Sequence, residues 1–414
     1  MSERHVPVHP DLDQLRHQAK DLLKAIRRSD PAALGELERN HPRRPDPATA
    51  RLADAQLALA RSYGVASWPR LVQACRIIDA IWDDDVETVR ALVTRYPALL
   101  HEDARGVPGN WGPPMSYAAN LGRGRIIAVL HERGAVDLQF AFDRACLQGQ
   151  LETARQLYAL GARPAPDAMM GPAETQNAEG MAFLFELGAP MGDGQGNTLA
   201  PVAMVLETYG RHAEGKHACL ELFARQGVAL PDTPAMAVHR GRPDLLEAHL
   251  RRDPDVFARR FSHQEIYPPA LGCHADPTQA LHGTPLDGTT LLHLCVDNDE
   301  IALARWMLDR GADANATAAV DRDGFGGHTA LFGCVVSQPY RNNRRSTAMA
   351  ELLLDRGADP NVRASLRKEL RGVADESLHE YRGVTPLGWG AAFHDQDFVN
   401  PAVMALVAAR GGRL

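Results

Sequence analysis

One six-residue phrase occurs twice near the end of the chain, and it limits the possible folds more than any other feature. Arg310-Gly311-Ala312-Asp313-Ala314-Asn315 and Arg356-Gly357-Ala358-Asp359-Pro360-Asn361 each follow an apolar run with helical spacing. A glycine just past such a run adopts the left-handed conformation that ends a helix, and the Asp and Asn behind it favour a turn. Upstream lie Thr290-Leu291-Leu292-His293 and Thr329-Ala330-Leu331-Phe332, where a threonine at a helix start is placed to accept from a free backbone N–H. Each copy is a helix pair too small to bury its own apolar stripe, so the copies must stack.

These residues resemble the ankyrin repeat, in which a T-P-L-H turn opens one helix and L-L-x-x-G-A-D-x-N closes the next. With the helix-ending glycine as a ruler, further units end at Gly134-Ala135, Gly161-Ala162 and Gly188-Ala189, 27 residues apart (161 − 134 and 188 − 161). The period is about six short of the usual 33, so the protruding turn is trimmed while the helix pair is kept. Another unit ends at Gly227, and the last runs from Val384-Thr385-Pro386-Leu387 to Gly411. Pro97 and Pro254 replace glycine as the stop in two degenerate units. The resemblance implies an all-α, ankyrin-type α-solenoid of about eight helix pairs, several degenerate. We read degenerate repeats over 76–254, an inserted connection at 255–286 and well-formed repeats with long fingers over 287–414.

Residues 1–75 form a helical module of another kind. Leu12, Leu15, Ala19, Leu22, Leu23 and Ile26 line one face of a helix capped by Asp11; a second helix spans Thr49 to Tyr63, and Ser67-Trp68-Pro69 starts a third. The string from Ala53 to Trp68 resembles a small module found before bacterial ankyrin arrays. Its expected role is to cap the apolar end of the stack.

Composition fits a cytoplasmic chain. Hydrophobic content is 45% and charged content 23%, and no apolar run approaches the roughly 18 residues of a membrane span. A net charge of −7 argues against a nucleic-acid partner. Cys146, Cys295 and Cys334 share the register of a small core residue, and no C-x-x-C pair occurs. No P-loop, G-x-S-x-G or H-E-x-x-H motif is present, so neither an enzyme nor a cofactor is expected.

The resemblance implies recognition of an unidentified protein partner through fingers and a concave groove. The candidate contacts are Asp321, Asp323 and an exposed Phe325 on the finger before Thr329, and Tyr340 and Arg341 on the connection Ser337–Ser346. Trp111 and Trp389, near the starts of first helices, join them, although Trp389 also suits an internal position. The alternative is a small-molecule or metal-binding sensor built on the 255–286 insertion and the Asp321–His328 finger. Its ligands would be His263, Cys273, His274 and His282, although their spacing matches no familiar zinc pattern. Asp321, Asp323 and Gly324 open like a calcium loop but do not complete one. The insertion is expected to pack through Phe261, Ile266, Tyr267 and Leu271.

Overall fold

A computed structural model describes residues 4–277 and 281–414; positions 278–280 of the insertion lie outside it. The chain divides into two compact units, Met1–Pro164 and Ala165–Leu414.

The first unit opens with helix Leu12–Arg27, where the Asp11 carboxylate accepts from the backbone N–H groups of Asp13 (2.8 Å) and Gln14 (3.0 Å). Leu15, Ala19 and Ile26 are buried on the expected face. The sequence reading passed over helix Pro31–Asn40, although Asp30 caps it and Pro31 occupies its first turn. Its Pro- and Gly-containing sequence carries a short apolar face, Ala33 and Leu37, too brief to show periodicity. Helix Leu52–Ser62 ends before Gly64. Helix Trp68–Trp82 starts at its Ser67 cap and runs unbroken through residue 75, pairing with Val86–Arg95. The pairs Pro114–Asn120 with Gly124–Glu132 and Leu138–Gln148 with Leu151–Ala159 follow. First helices pack on first helices and second on second, which is how each pair hides its stripe against the next.

Six pairs follow in the second unit. They are Met170–Glu174 with Ala178–Glu186, Ala200–Glu207 with Ala213–Arg225, Pro234–His239 with Pro243–Arg252, Leu291–Asp297 with Ile301–Leu308, Ala330–Val335 with Ala348–Asp355, and Pro386–Ala392 with Pro401–Ala409. With three in the first unit this makes nine among the described residues, one more than the glycine ruler suggested. Gly311 (φ +94°) and Gly357 (φ +85°) take the left-handed conformation that closes their helices.

The Asn that ends each repeated phrase reaches into the following repeat. Asn315 donates to the carbonyl of Gly357 (2.8 Å) and accepts from Asp359 N–H (2.7 Å). Asn361 does the same with the Gly411 carbonyl (3.0 Å) and Arg413 N–H (2.9 Å).

Threonine capping is mixed. Thr385 and Thr233 accept from the N–H groups of Gly388 (3.1 Å) and Met236 (3.2 Å), as expected. Thr290 instead pairs its hydroxyl with His293 Nδ1 at 2.9 Å, because the histidine one turn on competes for it. Thr329 Oγ1 has no hydrogen-bond partner among the described residues.

The fingers join edge to edge. Phe261 pairs with Thr289, Gly288 accepts from Ala319 N–H (2.8 Å), and Gly326 pairs with Ser365. The last finger is an antiparallel hairpin, Ala364–Lys368 with His379–Val384, the one β-sheet among the described residues. The insertion is packed as expected: Phe261, Ile266, Tyr267 and Leu271 are all buried. Its helix His263–Ile266 lies on Pro234–His239, and its turn Pro269–Leu271 lies on Ala200–Glu207. All six cysteines are buried free thiols, and burial pushes that of Cys146 up to about 12.

Candidate functional site: a cleft beneath the fingers

In the second unit a cleft of about 480 Å³ opens beneath the finger row. Its walls come from the end of the insertion, the Asp321–His328 finger and the inward strand Ala364–Lys368. Alternation along that strand buries Ala364, Leu366 and Lys368 while the residues between them face outward. Lys368 is 6% exposed, and burial lowers its ammonium pKa to about 8 against the pull of Asp297 and Glu369.

His282 is held by a buried ion pair. Arg211 lies 3.1 Å from Asp297 and also donates to the carbonyls of Gly210 (3.0 Å) and Leu281 (2.9 Å). Burial would raise the Asp297 carboxyl, but Arg211 and His282 hold it well below the usual range. The carboxylate therefore accepts the Nδ1 proton of His282 at 3.1 Å, which leaves Nε2 as an unprotonated acceptor. Among the described residues Nε2 has no partner. Burial keeps this ring neutral by lowering its pKa, although Asp297 opposes the shift.

His328 repeats the arrangement. Its Nε2 donates to the Pro285 carbonyl at 3.0 Å, and its buried Nδ1 has no partner among the described residues. The cleft thus contains two imidazoles, each with one unsatisfied acceptor nitrogen, where buried polar groups are normally satisfied. Val320 and Leu378, both lining the cleft, are 62% and 56% exposed.

The sequence candidates divide. Asp321 and Asp323 are exposed, but they bind Arg367 at 2.7 and 3.3 Å. Asp321 also accepts from the Phe325 N–H at 2.9 Å, so the acidic turn shapes the finger. Phe325, expected to be exposed, is 5% exposed and lies under the guanidinium groups of Arg367 (4.9 Å) and Arg382 (4.2 Å). The neighbouring hairpin covers it, and no sequence pattern announced that hairpin. Trp389 is fully buried, donating to Thr284 Oγ1 at 3.1 Å, so the internal reading holds and the contact reading does not. Arg341 is exposed beside Asp397, and Tyr340 is half-buried under Arg345. Trp111, in the first unit, is half-buried between Trp82 and Tyr117.

The metal candidates are engaged elsewhere. His263 Nε2 meets the His274 carbonyl (2.9 Å), His274 Nδ1 meets Glu207 (3.0 Å), and His282 meets Asp297. Burial pushes the Cys273 thiol well above its ordinary range. Among the described residues no three His, Cys, Asp or Glu gather as ligands. A Ser377–His379–Asp375 grouping near the last finger is not a nucleophilic relay. Serine (3.1 Å) and carboxylate (2.9 Å) share the same Nε2, whereas a relay needs opposite ring nitrogens.

Sequence reasoning missed Arg211, Lys216, Asp297, Glu300 and Lys368, all buried. Isolated charged residues give no periodic signal, and only the fold brings them together.

Residues 287–319 match the family model of the ankyrin repeat, so the chain contains that repeat where its phrase is strongest. No curated protein is matched. Among solved structures, the human ASB11 ankyrin repeat domain is similar at 15% identity, covering 73% of this chain and 99% of that one, with a TM-score of 0.25. At that score the likeness adds nothing to the fold, which rests on the helix pairs and the matched repeat. No described helix is long and apolar enough to cross a membrane.

Proposed function

We propose that the chain is a non-catalytic recognition module that binds a protein partner at the fingers and cleft of its second unit. The observation that carries this reading is the pairing of exposed Val320 and Leu378 with unsatisfied imidazoles in the cleft they line. Exposed apolar side chains gathered at a concave, largely apolar surface with a few polar groups mark a contact site. The finger row is a preformed scaffold joined by backbone hydrogen bonds, so binding orders little chain. Arg341 and half-buried Tyr340 extend the surface beyond the cleft. Within the first unit, the helical module at residues 1–75 serves as a cap for the repeats that follow it.

Affinity capture with the wild-type chain and a Val320→Asp/Leu378→Asp variant tests the reading. Both positions are exposed, so the variant keeps its fold; the partner is expected with the wild type and absent with the variant. Equal capture would move the contact surface away from the fingers.

A further inference from the structure

Residues 5–10 lie on the first unit in the manner of a bound peptide, at a place independent of the fingers. The segment carries Pro7 and Pro10 in P-x-x-P spacing and is neither helix nor strand. Among the described residues, none of its backbone groups bonds to another backbone group. Side chains hold it instead. Arg105 donates to the Val6 carbonyl (3.2 Å), and the Tyr117 hydroxyl donates to the Val8 carbonyl. The His9 ring stacks on Trp82, with centroids 4.7 Å apart and planes 4° from parallel, and meets Asp79 at 2.9 Å. Val6 is buried against Leu15, Val65 and Leu71, whereas Pro7 and His9 are exposed.

The surface under the segment is a row of rings. Trp111 lies between Trp82 (6.5 Å) and Tyr117 (4.7 Å), and Arg123 fixes the turn that carries Trp82 by donating to the Ile81 carbonyl at 3.2 Å. Prolines lack an N–H and hold φ nearly fixed, so such a segment needs only its carbonyls satisfied and loses little freedom on docking. Aromatic-lined grooves suit segments of this kind. The groove provides two donors to carbonyls, an apolar pocket and a ring face, and none of these depends on the segment belonging to the same chain.

We propose that this surface is a docking site for a proline-containing segment of a protein partner, and that residues 5–10 occupy it in cis. The partner's segment carries an apolar residue, a proline, any residue, a ring and a second proline. A tethered occupant has an effective concentration on the order of millimolar, so the partner docks only by displacing it.

The test is fluorescence anisotropy with the full chain and a Val6→Ser/His9→Ser variant, which loosens the segment and leaves the groove intact. Circular dichroism checks that both fold. The labelled probes are His-Val-Pro-Val-His-Pro, a foreign peptide Ala-Ile-Pro-Ala-Trp-Pro that shares only the pattern, and His-Ser-Pro-Val-Ser-Pro, which lacks both anchors. The first two are expected to bind the variant at least about tenfold more tightly than the wild type, and to raise its melting temperature. The third is expected to bind the variant at least about tenfold more weakly than they do. His9→Ser alone, at an exposed position, is the milder background, with an expected gain of about threefold over the wild type. No binding to either folded variant, or equal binding to variant and wild type, overturns the proposal. Equal binding of the anchorless peptide also overturns it. Binding of the chain's own sequence without the foreign one would mean that the segment serves only the fold, which likewise overturns it.

Discussion

His293 donates from Nε2 to the carbonyl oxygen of His328 at 3.1 Å, and His328 donates onward to the carbonyl of Pro285. The chain of two imidazoles ties the start of one repeat to the finger of the next. Both rings are buried, and burial holds their pKa values down at about 3 and about 4.

The sign of the pH dependence follows. Unfolded histidines take up protons near pH 6.5 and these folded ones do not, so the unfolded state binds more protons below that pH. The stability they contribute is complete above about 6.5, declines as pH falls, and is lost once pH passes the folded values; the total is on the order of several kcal/mol. Urea midpoints measured at pH 7.5 and pH 5 should drop more for the wild type than for a His293→Leu/His328→Leu variant. An identical drop in both would show that other groups control acid sensitivity.

Arg211 and Asp297 form a buried pair whose halves depend on each other. Arg211→Met leaves a buried carboxylate without its cation and should cost about 3–5 kcal/mol. Adding Asp297→Leu removes the orphaned charge and should recover part of the loss. Denaturant titration of the single and double variants measures the coupling, and strict additivity would deny it.

Asn315→Ala and Asn361→Ala should each cost about 1 kcal/mol or somewhat more, since each loses one donor and one acceptor bond to the following repeat. Hydrogen exchange at the Asp359 and Arg413 amides reports the loss locally. Unchanged protection there would mean that packing alone joins the repeats.

Phe325→Ala should destabilise the chain by about 3 kcal/mol or more through the cavity it leaves under two arginines. Leu378→Ala, at an exposed position, should stay within about 0.5 kcal/mol of the wild type. Thermal melts separate the two, and a neutral Phe325→Ala would contradict the burial described for it.

The helix pairs were legible because their signals are local: an apolar stripe, a capping residue and a stop. Gly134, Gly161 and Gly188 mark helix ends in the structure as they do in the sequence. Helix Pro31–Asn40 escaped notice because two buried residues make no period. The cleft was legible only in outline. The insertion and the Asp321–His328 finger stood out by length, and both line it. What they build depends on Arg211, 86 positions from Asp297, and on a hairpin whose inward face buries Lys368. Relationships of that range leave no local trace, and for the same reason Phe325 reads as exposed until the hairpin that covers it is seen.

The most direct test of the account places a photo-crosslinking amino acid at position 378, at the cleft, and separately at position 351, an exposed site on helix Ala348–Asp355. After irradiation in cells, the account predicts a discrete protein adduct from position 378 and none from position 351. Adducts of the same protein from both positions, or from position 351 alone, would contradict recognition through the fingers.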